Sequence, residues 1–104
     1  MATSARFIGV QIDWTCNSTT IVNSVISGKH DTYGALLIYN NGYNTMVANS
    51  TINGNGGQYA VVFGVGNNGY TSLINNTIAN ATTLIYNVAG SNLLVDCHSN
   101  RLFL

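Results

Sequence analysis

Charge is scarce in this chain. Of 104 residues only three are Lys or Arg and three are Asp or Glu, and the formal net charge is zero. Nucleic-acid binding needs a basic footprint and adhesion to an anionic membrane needs clustered Lys and Arg, so this balance argues against both. No apolar run reaches the roughly 18 residues that a membrane-spanning helix requires. Met1-Ala2-Thr3-Ser4 has neither the charged start nor the apolar stretch of a secretory leader. Proline and glutamate are absent. With two His and two Cys, no zinc-ligand spacing can be assembled, and no metal or cofactor is expected. What is abundant is Asn, Gly, Thr, Ser and Val, all weak helix formers. Val, Ile, Tyr and Thr suit pleated strands, and Asn and Gly suit turns with positive φ. The composition predicts one all-β domain over residues 1–104.

The organisation of that domain comes from a repeat. Asn23-Ser24-Val25-Ile26 returns as Asn49-Ser50-Thr51-Ile52 and again as Asn75-Asn76-Thr77-Ile78, with the same spacing both times. A fourth block, Leu93-Leu94-Val95-Asp96-Cys97-His98-Ser99, aligns if the last interval is shorter by five residues. A fixed period of this size marks stacked, near-identical units. Each unit holds two apolar segments, such as Ala35–Tyr39 with Thr45–Ala48 and Tyr59–Phe63 with Thr71–Ile74, then a short strand at Thr51-Ile52 or Thr77-Ile78. Gly28, Gly54-Asn55-Gly56-Gly57 and Asn80 mark the next turn. Three short strands per unit at a constant period predict a parallel β-helix of about four coils, about 26 residues each. An antiparallel meander would give each strand a chemically different partner.

Alternation along a strand places Ile21, Val47, Leu73 and Leu94 inward. Two residues on, Asn23, Asn49, Asn75 and Asp96 then point the same way, which predicts an internal ladder of hydrogen-bonded amides. Ile26, Ile52 and Ile78 re-enter the core after the turn. Cys16 and Cys97 fall on distant coils, about 14 Å apart at about 4.8 Å per coil, too far for a disulfide, so two separate buried or half-buried thiols are expected.

The pattern Ile-x-Asn-x-x-Ile, with a coil of this length, resembles the right-handed parallel β-helix family, which includes pectate lyases, polygalacturonases and bacteriophage tailspikes. The resemblance spans residues 18–100 and is closest to the C-terminal part of a tailspike. It implies a right-handed solenoid, a homotrimer of parallel subunits, a place on the virion tail outside the host cell, and contact with bacterial surface polysaccharide. The opening Arg6–Ile12 reads as a strand already under way, so the chain is expected to be a piece of a longer spike.

The residues themselves also point to an oligomer. Ala35–Tyr39, Tyr59–Phe63 and Leu84-Ile85-Tyr86 do not alternate, as strands with one wet face should. Val22, Ala48, Ile74 and Val95 lie between inward positions and are expected to form an outward apolar stripe, the candidate subunit interface.

Chemistry is sparse. Glycoside hydrolysis usually needs two flanking carboxylates, and only Asp13, Asp31 and Asp96 exist. Asp13-Trp14 reads as an exposed strand end. Lys29-His30-Asp31 is the one charge cluster: the Lys could neutralise a sugar carboxylate and the His or Asp act as base, as a polysaccharide lyase requires, though a solvated loop is the simpler and preferred reading. Tyr33 and Tyr59, one repeat apart, are expected to stack and could bind a glycan, or could only pack coil on coil. Three readings follow: a structural spike segment, favoured here, whose oligomeric state the residues support and whose trimeric form the resemblance implies; a fragment of a β-helix lyase or glycosidase; and an ice-binding solenoid, whose Thr column at Thr51 and Thr77 is interrupted by Val25 and His98.

Overall fold

The computed structural model describes residues 7–12, 18–38, 44–64, 69–88 and 94–104, with Leu94 and Val95 described by backbone pairing only. The fold is all-β, with no helix among the described residues. The strands are β1 (Val10–Ile12), β2 (Ser18–Val22), β3 (Val25–Ser27), β4 (Leu36–Ile38), β5 (Asn44–Ala48), β6 (Thr51–Phe63), β7 (Tyr70–Ile74), β8 (Thr77–Asn87), β9 (Leu94–His98) and β10 (Arg101–Phe103). They form two sheets, β1-β4-β6-β8-β10 with β3 also on β6, and β2-β5-β7-β9. Every pairing of these strands is parallel.

The pairing follows the repeat. Ile21 pairs with Val47 and Val47 with Leu73, while Ile26 pairs with Ile52 and Ile52 with Ile78. Like residues therefore lie one above another, and the apolar ones make the core: Ile26, Ile52 and Ile78 in one column, Val47 and Leu73 in a second, Ile12, Ile38 and Phe63 in a third. Leu37 and Val62 stand apart from this cluster yet are 3% and 1% exposed, so both faces of β4 and of the end of β6 are covered, as their unbroken apolar sequence requires. Where Gly54–Gly57 signalled a turn, β6 keeps its pairing to β8 across a bulge between Asn53 and Gly57. Asn55 (φ 53°) and Gly56 (φ 77°) supply the left-handed residues there, and the Asn53 side chain accepts from the Asn55 N–H at 2.8 Å.

The polar ladder exists, one residue later than the sequence suggested. Asn23, Asn49 and Asn75 are exposed, with φ of 53°, 51° and 55°. They make the turn between the two sheets, where L residues other than Asn and Asp rarely adopt positive φ. That turn reverses the expected alternation and puts the following residue inside. The Ser24 N–H donates to Ser50 Oγ at 3.1 Å, the Ser50 N–H to Asn76 Oδ1 at 3.0 Å, and the Asn76 N–H to Asn100 Oδ1 at 2.9 Å. Asn76 Nδ2 and Asn100 Nδ2 then donate to the Val47 and Leu73 carbonyls, both at 2.8 Å.

The last interval is also corrected. Tyr70 pairs with Leu94 and Ile74 with His98, so the final step is only slightly shorter than the one before it. The counterpart of Asn75 is therefore Ser99 (φ 57°), and that of Asp96 is Ser72. Aligning Asp96 with the asparagines followed chemical likeness, whereas the backbone required a positive-φ residue. Asp96 is thus no ladder member but sits on the outward face of β9. The expected apolar stripe changes with it: Val22 is 44% exposed, Ala48 only 8%, Ile74 is half-buried, and the fourth position is His98 in place of Val95. Val95 falls in register with Thr71, and its side chain lies outside the described ones.

Asn76→Ala should therefore cost about 1–3 kcal/mol in denaturant unfolding, because it strips the partners from buried backbone groups. Asn75→Gly, at the exposed left-handed position, should stay within about 0.5 kcal/mol of the parent. The reverse order would contradict the ladder.

Candidate functional site: a tyrosine-lined groove

The turn after β3 is built to hold its shape. The Phe7 N–H donates to the Lys29 carbonyl at 2.7 Å and the Lys29 N–H to the Phe7 carbonyl at 2.8 Å, an antiparallel bridge. It runs so close to Gly28 that a Cβ there would lie 2.6 Å from Gly9 N, which only glycine avoids. Beyond it, His30 Nδ1 accepts from the Thr32 N–H at 3.1 Å and the Tyr33 N–H at 3.3 Å, and its ring lies 4.9 Å from that of Tyr33. Gly34 (φ 71°) returns the chain to the sheet.

This turn delivers Asp31, Thr32 and Tyr33 to the lining of a groove of about 490 Å³. Tyr59 and Val62 of β6 and Tyr86 of β8 line the same groove. The Tyr59 and Tyr86 rings stack, with centroids 4.7 Å apart and planes 16° from parallel. Strand register alone would not bring them together, since Tyr59 pairs with Thr83 and Tyr86 with Val62. Tyr33 and Tyr86 are 42% and 39% exposed, so ring surface is open to a ligand. The groove combines apolar faces with phenol hydroxyls, a threonine hydroxyl and one carboxylate, the mixture by which pockets hold an amphipathic ligand in one orientation.

The sequence-derived residues can now be placed. Tyr33 and Tyr59 do share a site, but the stacked partner of Tyr59 is Tyr86, which sequence spacing did not indicate. Asp31 lines the groove, whereas His30 spends its Nδ1 on two backbone N–H groups and Lys29 is engaged through its backbone. Asp13, Trp14 and Cys16 lie outside the described residues. Cys97 is a free thiol on an exposed edge position, not a buried one. Partial burial, and secondarily the Asp96 carboxylate, push its pKa up.

A second polar cluster went unread in the sequence. Asp96 Oδ1 meets His98 Nδ1 at 2.7 Å, and the Tyr70 hydroxyl donates to Asp96 Oδ2 at 3.3 Å. The i, i+2 spacing of Asp96 and His98 puts them on one face of β9, a signal hidden by assigning Asp96 to the ladder. His98 and Asp96 are 66% and 36% exposed, so the pair contributes only about 0.2–1 kcal/mol. Among the described residues no three His, Cys, Asp or Glu side chains gather as a metal site.

No protein family, curated protein or solved structure matches this chain.

His30→Ala should leave the core intact but release the turn, because two N–H groups lose their acceptor. Amide hydrogen exchange at Thr32 and Tyr33 should quicken at least tenfold while exchange in β5 and β7 stays unchanged. Unaltered protection at both residues would remove His30 from this role.

Proposed function

We propose that this chain is a segment of a right-handed parallel β-helix that assembles as a homotrimer in a phage-tailspike-like protein outside the cell, and that its tyrosine groove contacts a saccharide of the host surface. The solenoid reading rests on the repeat and on the pairing of each strand, in parallel, with its counterpart one repeat later. The oligomer reading rests on the outward Val22 and Ile74 of the two-sheet structure and on its exposed strand edges, which a lone short stack leaves unpaired.

The binding reading is carried by one observation, the stacked Tyr59–Tyr86 pair in a groove that Tyr33 and Asp31 also line. A sugar ring presents an apolar C–H face and a hydroxylated edge. The tyrosine faces suit the first, while Asp31 and the Thr32 hydroxyl suit the second. Recognition is the reading the groove supports, since Asp31 is the one carboxylate among its described lining residues and the two-carboxylate mechanism needs a second.

Light scattering across a dilution series tests the assembly: a mass near three times 11.1 kDa is expected, and a monodisperse monomer would refute the trimer. Calorimetric titration with bacterial oligosaccharides tests the groove. Tyr59→Ala should weaken whatever saccharide binds by about tenfold, near 1.4 kcal/mol, with thermal stability little changed. Binding that survives both Tyr59→Ala and Tyr86→Ala would place the saccharide elsewhere.

A further inference from the structure

A second groove follows the corner where the chain passes between its two sheets. It measures about 510 Å³ and is lined by polar side chains throughout, chiefly Asn49, Asn75, Thr51, Thr77, Ser99 and Arg101. Two columns supply them. One is the left-handed column, in which the Asn49 N–H donates to the Ile74 carbonyl and the Asn75 N–H to the His98 carbonyl. The other is the first outward position after the turn, where Thr51 pairs with Thr77 and Thr77 with Arg101. Neighbouring members of a column are about 4.8 Å apart, the strand spacing.

Two features separate this groove from ordinary polar surface. Its donors are unspent: among the described residues, the side chains of these six form no hydrogen bond or ion pair, while the backbone N–H groups of Asn49, Thr51, Asn75, Thr77 and Arg101 are paired beneath them. Its charge is of one sign: Arg101 is the single formal charge among the described lining residues. In a chain with three Lys and Arg residues, Arg101 shares this lining with Asn, Ser and Thr, and no Asp or Glu is among the described lining residues. Hydroxyls and amides from two columns, together with the Arg101 fork, are the donor types that a group with oxygens on several sides, such as a tetrahedral oxyanion, accepts from.

We propose that this corner groove binds a phosphate or sulfate group, with Arg101 as its charged anchor and the Thr77 and Ser99 hydroxyls and the Asn75 amide as further donors. The site is independent of the tyrosine groove, which shares none of its residues. The group could arrive as a free anion or as the ester of a larger polyhydroxylated ligand, and both present the same oxygens.

The test is an NMR titration of the whole chain with sodium phosphate and sodium sulfate at constant ionic strength, chloride serving as the reference. Saturable shifts are expected at the amides of Thr77, Ser99 and Arg101. Arg101→Gln should raise the Kd at least tenfold, and Arg101→Lys should retain part of the affinity as a point charge. Arg101 is exposed, so the melting temperature of both variants should match the parent. Glucose 6-phosphate binding more tightly than inorganic phosphate would identify an ester as the ligand, and equal affinity would identify the free anion. Shifts that chloride reproduces, or affinity that Arg101→Gln leaves untouched, would overturn the proposal.

Discussion

Parallel pairing at a near-constant offset is the constraint on which everything else in this molecule depends. When a strand hydrogen-bonds to the strand one repeat later, each residue lies over its own counterpart, so the chemistry of every position is multiplied along a column. An apolar column such as Ile26, Ile52 and Ile78 then becomes continuous core. A polar column must satisfy itself, because a buried donor or acceptor without a partner costs about 1–3 kcal/mol. Ser24, Ser50 and Asn76 do so by donating the backbone N–H to the side-chain oxygen of the next member, ending on Asn100. Thr71 shows the cost of failure on the neighbouring column: it is wholly buried, and its hydroxyl has no partner among the described residues.

The same constraint sorts the turns. A corner that recurs in every repeat needs a residue at positive φ in every repeat, and Asn23, Asn49, Asn75 and Ser99 fill it. Because these residues are spent on backbone conformation, their side chains project outward and are free to do something else. The corner groove with Arg101 is made from those surplus amides and hydroxyls. The tyrosine groove arises differently, from a turn that breaks the repeat: the bridge between Phe7 and Lys29 and the His30 acceptor hold Asp31 and Tyr33 over β6 and β8. One candidate site is thus a product of regularity and the other of a departure from it.

Several features were legible without coordinates. The even spacing of Asn23, Asn49 and Asn75 and the β-favouring composition led directly to parallel strands with like residues paired. The inward placing of Val47, Leu73, Ile52 and Ile78 was correct because alternation along a strand is a local rule. Where two polar residues stand together at a corner, that rule gives no answer. Asn75-Asn76 reads the same in either orientation until the backbone adopts φ of 55° at Asn75, which turns Asn76 into the core, 1% exposed.

What the sequence determined by itself was the period, the strand class and the inward columns through Val47 and Leu73 and through Ile26, Ile52 and Ile78, since each follows from residue type and spacing over a few positions. Tertiary structure decided the rest. It set the final register, Ile74 against His98, which moved Asp96 out of the ladder and onto an outward face with His98 and Tyr70. It also brought Tyr86, and not Tyr33, onto the ring of Tyr59. Both outcomes depend on how loops of unequal length are taken up between layers and on which way a large side chain leans. Those are balances among distant contacts that no local pattern encodes.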